Sequence, residues 1–356
     1  VPRVVVIGGG VVGVASALAF ARRGADVVLH EAEDALALAA SGTNSGILHT
    51  GFDSKPGELE TELILRAAEL RPPVLDALGV PFSAAGAVLA PRADGDRETI
   101  AALAEGARRN GVEVRVREGD GALEVPGEGI TDPVAFVHAL AGAAQRHGAE
   151  FRLGSPVREP VDDADVVVNA AGLGAGRVAR LYGDESFDVH PRKGEFLVFD
   201  VPPPPSILLP APTARTKGVL VFPSLDGRTI AGPTAVDLDA EDWSVRPSAR
   251  DELMAKAVAM YPPLEGAEPA FAYAGLRPAG RAGANYVVRP SLVQPRLIHA
   301  AAIRSTGLTA SLAIAERVVA LSGIDGPEAP LLAGGAPVAA GAWWRRSADH
   351  RGVSGT

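Results

Sequence analysis

The stretch SGTNSGILHTG, residues 41–51, gathers three glycines, several hydroxyls, an amide and His49 in a run with little helix or strand character. An imidazole titrates near neutral pH and takes a proton from a hydroxyl when held beside it, so His49 is a candidate general base. Otherwise it is a loop histidine bonded to backbone. Arg277, in GLRP, follows a strand-like run and precedes a proline that ends it. A guanidinium there either clamps a carboxylate or phosphate through paired hydrogen bonds or forms an ion pair at a sheet edge. Together the two residues suggest proton removal beside a held anion.

The elements that must position them begin with RVVVIGGGVVGVASALAFARRGADVVLHE. Val4 to Ile7 is a continuous apolar run, as in a parallel strand buried on both faces. A helix over 11–23 and a second strand over 27–29 follow. Gly8-x-Gly10-x-x-Gly13 falls between strand and helix, and Glu31 closes the second strand. Gly8 permits the tight turn, Gly10 lets the backbone approach a pyrophosphate, and Gly13 lets helix and sheet touch. The helix N-terminus then faces the phosphates, while Glu31 accepts hydrogen bonds from a ribose.

The next segment, KPGELETELILRAAEL, predicts a helix from Pro56 or Gly57 with a kinked continuation at Pro72 and Pro73. Two helix–strand units follow, 97–110 leading to VEVRV and TDPVAFVHALAGAAQRHG leading to EFRL. Thr131 or Asp132 caps the second helix, with Pro133 in its first turn. DADVVVNAAGLGAGRVARL reads as a buried strand, a second glycine turn and a short helix. From Val189 the strands GEFLVFD, GVLVFP, RTIAGP and AFAYAGL lack intervening helices, which predicts a mostly antiparallel sheet. VPPPPSILLP reads as a stiff extended connector. A strand, RLIHAAA, and a helix, GLTASLAIAERVVALSG, precede a tail over 323–356 that ends in AWWRRSADHRGVSGT.

The 356 residues suit two lobes, and 47% apolar against 22% charged residues describes a folded globular chain. With no cysteine, thiolate metal sites, iron–sulfur clusters and disulfides are excluded, so redox chemistry requires a borrowed cofactor. A net charge of −9 argues against nucleic-acid binding. No two histidines show metal-ligand spacing, so no metal is expected. No apolar run reaches transmembrane length, and the strand at the start leaves no room for a secretory signal, which places the chain in the cytoplasm. The AWWRR cluster in the tail reads as a peripheral membrane contact, a partner contact or disorder. His30, His138, His147 and His299 read as structural.

Three separated segments look built around one extended cofactor: Gly8 to Gly13, Asn169 to Gly172, and RSTGLTAS at 304–311. In the last, a glycine opening a helix aims backbone NH groups at a negatively polarised atom, which suits the ring of FAD. GGGVVG, NSGILHTG, PGELETEL, HPRKGEFLVF, AGLRPAG and IRSTGLTAS, in that order, resemble the FAD-dependent oxidoreductases of the D-amino-acid oxidase-like superfamily, in particular FAD-linked glycerol-3-phosphate dehydrogenase and L-2-hydroxyglutarate oxidase. The resemblance runs over about residues 1–322. It implies an α/β plus α+β fold, with a Rossmann-like FAD-binding lobe assembled from discontinuous segments (1–82, 145–186, 285–322) and an antiparallel-sheet substrate lobe (83–144, 187–284).

It also implies site residues. The cofactor set is Gly8, Gly10, Val12, Gly13, Glu31, Ser41, Thr43, Asn44, Ser45, Gly46, Val157, Ala171, Gly172, Arg304, Ser305, Thr306, Gly307 and Leu308. Ser41, Thr43, Asn44 and Ser45 otherwise cap their own loop. His49, Arg277 and Lys193 form the catalytic set, with His49, Arg277 and Ser305 on the substrate. Lys193, in HPRKGEF, matches a basic position of the family and otherwise is an exposed charge at a strand entry; His190 and Arg192 share its surroundings. The implied activity is oxidation of a C–OH carbon of a small anion, a 2-hydroxy acid or glycerol 3-phosphate, with oxygen, a quinone or an electron-transfer protein as acceptor. The alternative is amine or amino-acid oxidation on the same fold.

Overall fold

The computed structural model describes residues 1–212, 218–334 and 342–353. Its first layer is a six-stranded sheet. Arg3–Ile7 lies at the centre, flanked in parallel by Asp26–His30 and Val166–Asn169; Glu150–Arg152 extends one side, and Leu297–Ala301 then Val287–Pro290 the other. Val4, Val6, Val27, Leu29, Val167 and Leu297 are buried, as a sheet covered on both faces requires. The fingerprint helix Val11–Ala21 packs against the late helix Gly307–Ser322 and the helix Pro133–Arg146. Residues 133–146, most of them assigned from sequence to the substrate lobe, thus lie with the dinucleotide unit.

That helix starts as its sequence predicts. Asp132 Oδ1 accepts from Val134 N and Ala135 N at 2.9 Å each, and Pro133 sits where an amide hydrogen is not needed. The helix Leu59–Ala77 starts later than its sequence suggests and runs through Pro72 and Pro73, packed on the late helix. Of VEVRV only Arg115–Val116 is strand.

The second sheet has nine strands and is antiparallel except at one place. Its spine is the long strand Val189–Phe199 paired along ten positions with Phe271–Gly280. The proline-rich segment is more than a connector, because Ile207–Leu209 pairs in parallel with Ala87–Leu89 and joins two halves of the sheet. A three-stranded ribbon stands apart: Ile47–Leu48 pairs with Gly129–Thr131, which also pairs with Phe82–Ser83.

The tail reading is corrected outright. Trp343–Arg351 is a helix with Trp343 2% and Trp344 3% exposed. Trp344 lies 5.0 Å from Phe271, ring centre to ring centre, and Arg345 stands 5.1 Å over the same Phe271 ring. The two tryptophans are core, which removes the membrane-contact option for them. Among the described residues no helix is long and apolar enough to cross a membrane.

Candidate active site

An elongated cleft runs along the carboxyl ends of the parallel strands, the place where an open α/β sheet binds a dinucleotide. Its wall holds Gly8, Gly10, Val12, Glu31, Ser41, Asn44, Val157, Ala171, Gly172, Arg304, Ser305, Gly307 and Leu308 of the expected cofactor set, together with Arg277.

The glycine turn is sterically obligatory. Gly8 has φ +116°, and a Cβ there would lie 2.3 Å from the Ala170 carbonyl oxygen; one on Gly13 would lie 1.9 Å from that of Gly8. Gly13 therefore serves the packing of helix on strand and does not line the cleft. Gly172, by contrast, has open space where a side chain would point. Ser41 Oγ accepts from Val11 N at 2.9 Å, and Glu31 Oε2 from Gly9 N at 2.6 Å, so two side chains meet the same turn.

At neither of the two helix starts at the cleft does the residue preceding the helix cap it with its own side chain, neither has a first-turn acid, and at the first Ser41 takes only the Val11 amide. Both leave the positive end of a helix dipole for an anion or a polarised oxygen. At the late helix the hydroxyl that would cap is committed elsewhere: Thr306 Oγ1 donates to Glu60 Oε1 at 2.7 Å and lies 2.5 Å from the Tyr286 hydroxyl. Thr306 is thus buried behind the wall. Thr43, Ser45 and Gly46 likewise do not line the cleft. Thr43 Oγ1 donates to Ala39 O at 3.2 Å, Ser45 Oγ accepts from Ile47 N at 3.3 Å, and Gly46 takes φ +78° beneath Trp343. For these residues the loop-capping alternative describes the contacts.

His49 does not line that cleft, and its ring is held by a buried carboxylate. Its Nδ1 lies 2.9 Å from Oε2 of Glu128, a carboxylate with no exposed surface, while its own side chain is 25% exposed. Glu128 Oε1 also accepts from Thr50 N at 2.7 Å and Thr50 Oγ1 at 2.9 Å. The His49 amide donates to Thr309 Oγ1 in the first turn of the late helix at 3.0 Å. The buried Arg71 bonds the carbonyls of His49 and Thr309, both at 3.0 Å; burial pulls its guanidinium down to about 10, opposed by the charge on Glu128. The ribbon pairing Ile47–Leu48 with Gly129–Thr131 brings Glu128 to His49. Sequence reasoning missed Glu128 and Arg71, since neither stands in a motif.

Arg277 is half-buried on the cleft wall. It donates only to backbone carbonyls: Arg192 O and Lys193 O at 3.2 Å, and Thr234 O at 3.0 Å. Among the described residues no carboxylate is paired with it, so the sheet-edge ion pair is not what holds it. Burial, with Arg192 and Arg304 nearby, pulls its guanidinium down to about 10 against the smaller pull of Asp237. Arg304 is 52% exposed, at 4.0 Å from Glu60.

Lys193 is corrected. It is completely buried, with Nζ donating to Asp242 Oδ2 at 2.6 Å and to Ser244 O at 2.9 Å. Its charge is spent on the loop 242–244, and it does not reach the cleft; its neighbours His190 and Arg192 both bond Asp237 at 3.1 Å. His30, read as structural, lines the cleft and bonds Ser155 Oγ at 2.9 Å. His299 is structural as expected, buried between Asn169 and Asp184.

Residues 3–321 match the family described as DAO, FAD dependent oxidoreductase. The chain belongs to that family. This FAD-dependent oxidoreductase is 26% identical to the glycerol 3-phosphate oxidase of Mycoplasma pneumoniae, over 89% of this chain and 94% of that protein. It is 28% identical to the glycerol 3-phosphate dehydrogenase of Caloramator mitchellensis and to the L-2-hydroxyglutarate dehydrogenase of Escherichia coli, spanning only 56% and 63% of their lengths. The solved L-alpha-glycerophosphate oxidase of Mycoplasma pneumoniae with FAD bound superposes with a TM-score of 0.84 at 25% identity, covering 93% of this chain and 97% of that one. Glycine oxidase from Geobacillus kaustophilus shares the fold with a TM-score of 0.81 at 22% identity, covering 96% and 100%. The glycine turn, the acid-free helix starts and Glu31 on the cleft wall fit FAD, the cofactor of the family.

Proposed function

We propose that this FAD-dependent oxidoreductase oxidises the hydroxyl-bearing carbon of a small anion, a 2-hydroxy acid such as L-2-hydroxyglutarate or glycerol 3-phosphate. FAD, when bound, supplies the two-electron acceptor for the hydride of that carbon. The contact that carries the reading is His49 Nδ1 to Glu128 Oε2 at 2.9 Å. A buried carboxylate at Nδ1 holds that nitrogen protonated, leaves Nε2 as the acceptor, and stabilises the imidazolium once Nε2 has taken the hydroxyl proton. Arg71 and Thr309 fix the backbone of the same residue, so the ring is aimed from both ends.

Arg277 holds the anionic group in this reading, because it is a cation without a carboxylate partner among the described residues. Arg304 and Ser305, on the wall before the late helix, complete the polar end. In this reading the substrate lies between Arg277 and His49. The names of the relatives support hydroxyl rather than amine oxidation, and so does a carboxylate-backed base, which an already neutral amine does not need.

The test is anaerobic bleaching of the flavin by hydroxy acids, glycerol 3-phosphate and amino acids in parallel, with His49→Ala alongside the parent. Bleaching by the hydroxy acids or glycerol 3-phosphate is expected, slowed by about two to four orders of magnitude in His49→Ala with FAD still bound. Bleaching by amino acids alone, or unchanged reduction in the variant, overturns the reading.

A further inference from the structure

We propose that the C-terminal helix Trp343–Arg351 clasps the adenosine-diphosphate half of FAD, with Arg351 as the cation set among the carboxylates at its ribose end. The helix lies outside residues 3–321, which the family accounts for. Four of its side chains reach back to one loop of the cleft wall. Trp343 Nε1 donates to Asn44 O at 3.1 Å, Arg346 Nη1 to Leu36 O at 3.0 Å, and Ser347 Oγ and Arg351 Nη1 both to Leu38 O at 2.6 Å. Ala37, Leu38, Ser41 and Asn44 of that loop line the cleft, and Arg351 lines it too.

The surroundings of Arg351 define its ligand. Its Nη2 donates to Glu33 Oε1 at 3.1 Å, and its guanidinium lies 4.1 Å from the ring centre of Trp243 in the opposite lobe. Glu31, Glu33, Glu241 and Trp243 all line the cleft. This is the end marked by Glu31, the ribose acceptor of the fingerprint. Arg351 is the cation set among these three carboxylates and offsets part of the charge that would otherwise repel the anionic half of the cofactor. Burial pulls its guanidinium down, while Glu33, Glu241 and Glu31 push it up. The clasp also spans the lobes: Lys193 holds Asp242, the neighbour of Trp243, and Trp243 meets Arg351. The inference concerns cofactor retention and stands apart from the substrate reading.

The experiment titrates apoprotein, prepared by stripping the flavin, with FAD and separately with ADP, in the parent and in Arg351→Gln. Flavin fluorescence reads FAD, and displacement reads ADP. Leaving Glu31, Glu33 and Glu241 without this cation is expected to raise both dissociation constants by about tenfold to a hundredfold. Unchanged affinities overturn the proposal, as does a loss confined to FAD with ADP unaffected, since that effect belongs to the flavin half. Should Arg351→Gln fail to fold, amide exchange of the parent apoprotein decides: ADP slows exchange across Trp343–Arg351 if the helix clasps it, and unchanged exchange rejects the clasp.

Discussion

Two cations sit side by side on the spine of the second sheet and are handled in opposite ways. Lys193 lies on Val189–Phe199, and Arg277 lies on the partner strand, one register position away. Lys193 has its own carboxylate, Asp242, and no exposed surface. Arg277 has three carbonyl acceptors, no carboxylate partner among the described residues, and an edge on the cleft. Burying a charge beside a countercharge makes a strut, whereas burying it against neutral dipoles leaves most of its field for whatever enters the cleft. Basic residue type alone does not separate the two; the nearest acid does.

Substitutions that break this contrast begin with Arg277→Met, for which a fall in kcat/KM of about a thousandfold on the anionic substrate is expected, with little change in melting temperature. Arg277→Lys keeps the charge and loses the planar fork, so a smaller fall of about tenfold to a hundredfold is expected in the same assay. Lys193→Met is expected to stay within about tenfold of the parent in kcat/KM while melting a few degrees lower by calorimetry. A kinetic loss from Lys193→Met as deep as that from Arg277→Met would reverse the assignment.

The pH dependence sharpens the contrast further, with the smallest effect. The hydrogen bond from Lys193, followed by that from Ser244, holds the Asp242 carboxyl down at about 2 against an ordinary 3.8. A depressed carboxyl contributes stability above its unfolded value and loses it as pH falls through the folded value. The melting-temperature gap between the parent and Lys193→Met is therefore widest above about pH 3.8 and closes toward about pH 2. A gap independent of pH over that window would show that the ion pair is not its source.

What the sequence disclosed was what its short-range grammar encodes. Gly8, Gly10 and Gly13 announce the turn because only glycine fits there, and Asp132-Pro133 announces a helix start through contacts two and three residues away. Glu128 was invisible because it meets His49 across 79 residues, through a ribbon whose pairing no local pattern states. Ile207–Leu209 was masked by the prolines before it and becomes a strand through Ala87–Leu89, a partner distant in the chain. The helix Trp343–Arg351 was masked by its polar composition: its tryptophans are apolar only in the company of Phe271, and its arginines are anchored by carbonyls of a loop some three hundred residues earlier.

The strand order of the first sheet carries a kinetic consequence. Its central strand, Arg3–Ile7, needs Val166–Asn169 on one side, and that strand in turn needs Leu297–Ala301. Such widely separated pairings make assembly slow, because loop-closure entropy is paid long before the contacts repay it. The cleft along these strand ends therefore has its full wall only once Leu297–Ala301, late in the chain, is paired beside strands that begin it.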